Sequence, residues 1–170
     1  MHNLRDIKNQ VIEEGFPELR MIRIDTKWDP VDDGVMKMGP SPTGNKMSRP
    51  TRYIIYVDPY MRSSREKSIR AGIAHEGVHI LKYMNLTKEG ILKEERRYNG
   101  SRAYWMREEI CTDLGVINRG FGYDLIELER FIEKDYNSFG IPRSHIEEIL
   151  SRLTDLPVPF TYQEYKAFFL

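Results

Sequence analysis

The stretch Ala71-Gly72-Ile73-Ala74-His75-Glu76-Gly77-Val78-His79-Ile80 decides how the rest of the chain is read. Ile69, Ile73, Ala74, Val78, Ile80 and Leu81 make it apolar enough for a buried helix. Side chains four residues apart on a helix share a face. His75 and His79 can therefore aim two imidazole nitrogens at one point. Glu76, next in line, brings a carboxylate beside that point. Two neutral nitrogen ligands, an open position and an adjacent base are what a hydrolytic zinc site requires. Five residues with three fixed also arise by chance, as packed or solvated histidines. Two features weigh against chance here. The chain has only 4 histidines and two of them fall in this motif. Histidines on a buried helix also need polar partners, which a metal would supply.

Upstream, Thr51-Arg52-Tyr53-Ile54-Ile55-Tyr56-Val57-Asp58 is aromatic and β-branched, and Asp58-Pro59 ends it as a strand. Ser63 is an N-cap for the metal helix with Glu66 as its capping-box partner, which predicts a helix over 64–85. Gly72 and Gly77 each cost that helix about 1 kcal/mol relative to alanine. Gly77 lies inside the motif, so close packing or access to the site is the expected reason. Nearer the N-terminus, Leu4, Ile7, Val11 and Ile12 mark an amphipathic helix stopped at Gly15, suited to covering a sheet face. Residues 19–26 read as a strand, and 35–38 as a short edge strand. The aspartates of Asp29-Pro30-Val31-Asp32-Asp33 hint at calcium but lack the regular spacing and closing glutamate of a calcium loop. Residues 39–46 form a Gly/Pro/Ser loop, expected to be a plain solvent loop and, in an enzyme, able to gate a cleft.

Downstream, residues 86–99 read as a charged, solvated connection that can hold a short helix. Asn99-Gly100 breaks it, and Ser101 can cap a helix over 102–118. Met106, Ile110, Leu114 and Ile117 give that helix one buried side. A metal held by two histidines needs a third protein ligand. His2 is terminal and His145 opens a polar helix and reads as exposed, so a carboxylate is the better candidate. Glu109 and Asp113 share a helical face. Glu109 can bind the ion while Asp113 accepts the second ring N–H of a ligand histidine and fixes its tautomer. Glu108 points off that stripe and is set aside. Trp105, one turn earlier, either walls the site or packs in the core.

His75-Glu76-Gly77-Val78-His79 followed by Glu109-Ile110-Cys111-Thr112-Asp113 resembles the gluzincin class of zinc metallopeptidases. The order of helix, short sheet, metal helix and glutamate helix is similar to that of the small minimal gluzincins, over roughly residues 3–118. The resemblance implies His75, His79 and Glu109 as Zn2+ ligands and Glu76 as general base. Two departures stand out. Thr112 occupies a position where many relatives have alanine. The residue that polarises the substrate carbonyl has no fixed place, and Tyr98, Tyr104, Arg119 and Tyr123 all qualify.

After Gly120-Phe121-Gly122, amphipathic helices follow around Leu125–Ile132 and Ile146–Leu153. Pro157 and Pro159 lie in an extended linker, and Thr161 with Glu164 forms a capping box for a short apolar terminal helix. That tail is expected to dock on its own core. Two sharper readings are that it binds a partner or, as only the resemblance to small gluzincins implies, that it plugs the cleft, so that deleting 157–170 raises activity. Organisation into a core of residues 1–122 and a helical extension of 123–170, forming one structural unit, is the predicted arrangement. The predicted fold class is α+β, a small mixed or antiparallel sheet packed on the active-site and glutamate helices.

Bulk properties bound the function. Lys+Arg and Asp+Glu both number 26 in 170 residues, so nothing suggests a nucleic-acid footprint. The single cysteine, Cys111, excludes an internal disulfide. Met1-His2-Asn3-Leu4-Arg5-Asp6 has no apolar core of the signal-peptide kind, so no leader is expected, and no run nears the roughly 18 apolar residues of a membrane span. A cytoplasmic zinc peptidase acting on protein or peptide substrates is the expectation. The alternatives are a noncatalytic zinc-binding module and a regulatory peptidase that cuts one specific protein partner.

Overall fold

The computed structural model describes all residues except 1, 33, 41–46, 134–139 and 154–158. The architecture is α+β with a three-stranded mixed sheet, as expected. The strands are β1 (Arg23–Trp28), β2 (Met36–Pro40) and β3 (Arg52–Val57), in the order β1-β3-β2. β3 pairs in parallel with β1 (Ile24 opposite Tyr53) and antiparallel with β2 (Met36 opposite Val57, Met38 opposite Ile55). Alternation along β3 buries Tyr53, Ile55 and Val57 and leaves Arg52, Ile54 and Tyr56 only partly covered. The buried set faces α2 (Glu66–Tyr83), while α1 (Leu4–Gly15) packs on β1 and α2. β2 is an edge strand beside α2.

α1 is capped by the Asn3 side chain, which accepts the Arg5 N–H, and it buries Leu4, Ile7 and Val11. α2 is the central helix. α5 (Gly122–Ile132) lies along it, α4 (Arg102–Val116) crosses beside it, and α3 (Lys88–Gly100) packs on α4. α6 (Arg143–Leu153) and α7 (Tyr162–Phe169) complete the chain. One apolar cluster runs from Leu4 through Ile73, Leu125 and Ile149 to Tyr165, so the C-terminal helices share the core of the first 122 residues.

Several boundaries differ from those expected. Ser63 does not cap α2. It closes a 3-10 turn, Pro59–Ser63, whose N-cap is Asp58, and its hydroxyl donates back to Tyr60 O at 3.0 Å. α2 therefore begins two residues later than expected, after Arg65, with no side-chain cap. Leu19 ends a 3-10 turn rather than opening β1, and Met21 stands exposed. Gly39 and Pro40 belong to β2, while 41–46, the rest of the expected loop, lies outside the described residues. Residues 88–100 form a full α-helix, capped by Thr87 accepting the Gly90 N–H. Met106 is exposed, though Ile110, Leu114 and Ile117 are buried as expected. The glutamate helix does not stop cleanly. It widens into a π-type turn over Ile117–Phe121, where Gly120 takes φ 90° before α5 begins.

α7 docks on its own core. Its Thr161–Glu164 capping box forms as expected, Tyr165 is buried, and the helix packs beside α4. Among the described residues of the tail, none lines the cleft described below, so the plug is not what the structure shows.

Candidate metal centre

The site lies where α2, α4 and β2 meet, in a cleft of about 370 Å³. α2 supplies His75, Glu76 and His79; α4 supplies Glu109 and Asp113; β2 supplies Met36, Lys37 and Met38. Among the described residues, one group of three His, Cys, Asp or Glu side chains converges tightly enough to hold an ion. It is His75, His79 and Glu109, whose donor atoms all lie within 4.8 Å of one another. His79 Nε2 is 3.3 Å from His75 Nε2, and Glu109 Oε2 is 3.4 Å from His75 Nε2. Glu109 Oε1 is 3.8 Å from His79 Nε2. Ligand atoms about 2.0–2.2 Å from a tetrahedral zinc sit about 3.3 Å apart, so this donor set fits such an ion.

The orientation of each donor has a local cause. His75 turns Nε2 toward the other ligands because Nδ1 meets Asp113 Oδ1 at 3.0 Å. Asp113 is itself buried, and its Oδ2 accepts the Ile141 backbone N–H at 2.8 Å. Tyr98 donates its hydroxyl proton to Glu109 Oε1 at 2.6 Å and packs edge-on against Trp105, which lines the cleft rather than the core. Glu108 points away, as its offset on the helix predicts, and pairs with Lys82.

Glycines set the spacing between the elements. A Cβ at Gly77 would sit 3.1 Å from the Phe16 ring, so the motif glycine marks close packing, as expected. At Gly72 a Cβ would meet Met36 Sδ at 2.5 Å, which lets β2 approach the first turn of the motif. Gly115, on α4, lies against Val78, the motif residue between the two ligands. A Cβ there would meet both valine methyls at 3.0 Å. Sequence reasoning passed over Gly115, although a glycine in mid-helix is a signal of its own. It also left Tyr98 among four equal choices and did not reach Ile141.

Electrostatics follow the burial. Burial pulls the His79 imidazole down to about 3, and the neighbouring His75 adds to this. Burial also works against a charged His75, but the hydrogen bonds and charges of Asp113 and Glu109 outweigh it, and its pKa is held well above the ordinary histidine value. Glu109 is raised by burial yet ends at about 2, because His75, His79 and Tyr98 all favour the carboxylate. Glu76 is different. Burial pushes it up to about 7, and the Met38 amide, donating to Oε2 at 2.9 Å, opposes only part of that. The centre thus holds one ionised carboxylate among the ligand atoms and one carboxyl beside them that is poised between its two forms.

The other sequence candidates fall elsewhere. Tyr104 donates to Glu94 at 2.7 Å, Arg119 binds Gly15 O and Glu18, and Tyr123 is exposed. His2 contacts Ser64 O. His145 is half-buried rather than exposed, since its Nδ1 meets the Tyr165 hydroxyl at 3.0 Å and its ring stacks on Phe169. Asp29 pairs with Lys27, and the calcium reading gains no cluster among the described residues.

No family model matches the chain, and no curated protein or solved structure matches it either. No helix among the described residues is long and apolar enough to cross a membrane.

Proposed function

We propose that the protein is a zinc-dependent peptidase, with His75, His79 and Glu109 as the ligands and Glu76 as general base. The observation that carries this is the convergence of three donors at the wall of an open cleft, with a second carboxyl, Glu76, beside them that is not one of the ligands. A closed structural zinc site takes four protein ligands, whereas three with an accessible position is the catalytic pattern. The resemblance of the His75–His79 and Glu109–Asp113 motifs to gluzincins supports the same reading.

A bound zinc ion supplies Lewis acidity at the point where the three donors meet. The chain's own residues do the rest. Met38 N–H holds Glu76 Oε2, leaving Oε1 as the atom that takes a proton from the attacking water and later gives it to the leaving amine. Tyr98 is the member of the four carbonyl-polarising candidates whose hydroxyl lies in the cleft. The Tyr98 hydroxyl, which donates to Glu109 Oε1 here, would be the donor to a substrate carbonyl if zinc held Glu109. Edge strand β2 offers backbone groups along the cleft for an extended peptide to pair with.

The test combines metal content with turnover of an unfolded protein substrate. The parent should carry one zinc per chain and cleave; Glu76→Gln should keep the zinc and lose cleavage. Equal cleavage by Glu76→Gln removes Glu76 as base. A parent that takes up no zinc removes the peptidase reading altogether.

A further inference from the structure

We infer that the segment entering α6 is part of the metal site, with Gly140 and the Ile141 amide acting as positioning elements for His75. This rests on the zinc reading of the site above and adds a dependence on residues 27 and more positions beyond the last ligand-bearing motif.

The Asp113 carboxylate is almost fully buried at 3% exposure, so each of its oxygens needs a donor. One donor comes from each side. His75 on α2 meets Oδ1 at 3.0 Å, and Ile141 N–H at the start of the α6 segment meets Oδ2 at 2.8 Å. Asp113 can hold the imidazole in one orientation only while its second oxygen is fixed, because a carboxylate gripped at one oxygen still turns about its Cβ–Cγ bond. The Ile141 amide supplies that second grip. Its own position is secured by packing, since the Ile141 side chain is fully buried and Ile146 and Ile149 of α6 anchor the same segment in the core.

Gly140 shows how close this approach is. A Cβ placed there would overlap Asp113 Oδ2 and lie 2.9 Å from its Cγ. The backbone at Gly140 does not take the left-handed conformation, unlike Gly34 and Gly120. Alanine is therefore conformationally acceptable at 140 and acts through that one contact. It must push the carboxylate away from Ile141, from His75, or from both. Binding linkage is reciprocal: if docking of the 140–153 segment organises the ligands, ion binding must in turn tighten that segment.

The experiment measures zinc affinity by competition with a chromogenic chelator, for the full-length parent and for Gly140→Ala, Asp113→Ala and the double variant. Gly100→Ala is the control, since a Cβ at Gly100 meets nothing within 4 Å. Gly140→Ala should bind zinc about 10–100-fold more weakly than parent, the range for loss of an outer-sphere partner of a ligand histidine. In the Asp113→Ala background, where the obstructing carboxylate is gone, the same substitution should have little further effect. Hydrogen exchange on the parent gives a second readout that needs no variant. Zinc should slow exchange of the Ile141 amide as well as amides of α2 and α4.

Three results overturn the inference. They are parental affinity in Gly140→Ala, an equal loss from Gly140→Ala whether or not Asp113 is present, and an Ile141 amide whose exchange ignores zinc. Each leaves the zinc site itself standing. A parent that binds no zinc removes the site and this inference together.

Discussion

The spacing between the two helices that carry the ligands rests on Gly115, and Gly115→Ala measures it. Two effects oppose each other. Alanine in place of glycine in a helix interior gains about 1 kcal/mol. Against this, the new Cβ lies 3.0 Å from both methyls of Val78, where optimal carbon–carbon separation is about 3.5–4.0 Å. A valine in a helix has essentially one χ1 rotamer, so Val78 cannot swing aside. Overpacking of this kind costs roughly 1–3 kcal/mol. The balance is a net loss of about 1 kcal/mol, or a fall in melting temperature of about 2–4 °C at this chain length. If α4 instead shifts outward to relieve the clash, Glu109 moves with it, and zinc affinity falls. The assay is thermal melting in chelator together with zinc competition, for Gly115→Ala, Val78→Ala and both together. With the methyls removed, alanine at 115 should recover its helix gain, giving a coupling between the two sites of about 1–3 kcal/mol. A Gly115→Ala protein about 1 kcal/mol more stable than parent, with parental zinc affinity, would refute the argument that this contact sets the distance between α2 and α4.

Further outcomes follow from the same structure. Glu109→Gln should lose most zinc affinity while Glu108→Gln keeps it, because Glu109 joins the ligand group and Glu108 pairs with Lys82; equal losses in chelator competition would contradict that division. Phe16→Ala should destabilise the protein by about 3–5 kcal/mol in urea unfolding. Phe16 is fully buried beneath Gly77, stacked on Phe121 with Arg119 over its face, and a change under 1 kcal/mol would mean the floor of the motif can collapse. Asn118→Ala should loosen α7, since the Asn118 side chain both donates to Phe160 O at 2.9 Å and accepts from Phe160 N at 2.8 Å. Faster cleavage of the C-terminal helix in limited proteolysis is the readout. The hydrogen bond from Arg119 holds the Glu18 carboxyl below its usual value of 4.5. A depressed carboxyl stabilises the fold above its unfolded pKa and loses that contribution as pH falls through the folded value. The stability difference between parent and Glu18→Gln should therefore be present at neutral pH and shrink in acid. A difference that stays constant from neutral pH down into acid would show that the charge of Glu18 is not what matters.

Where the sequence was informative, the signal was local. His75, Glu76 and His79 share one helix, and helical geometry alone puts the two imidazoles together. The same holds for Glu109 and Asp113, for the Ser101 cap and for the Thr161–Glu164 box, all of which form. Where it was uninformative, competing local bonds or a weak pattern lay behind it. Ser63 met every formal requirement for a cap, but Asp58 captured the preceding turn. α3 looks like a charged connection in the sequence because it buries only Ile91 fully, among many charged side chains. Tyr98 and Trp105 reach the cleft because α3 folds back on α4, and nothing in their own neighbourhood announces that.

The sequence by itself determined the donor types and their helical spacing, since the period of the α-helix converts a four-residue interval into a shared face without reference to any other element. Only the tertiary structure decided that α2 and α4 approach closely enough, across Gly115 and Val78, for Glu109 to meet the two imidazoles. It alone decided that a backbone amide 28 residues further along the chain, at the entry to α6, steadies Asp113. Such contacts join residues tens of positions apart, and their distances are set by how whole elements pack, which no local run of residues encodes.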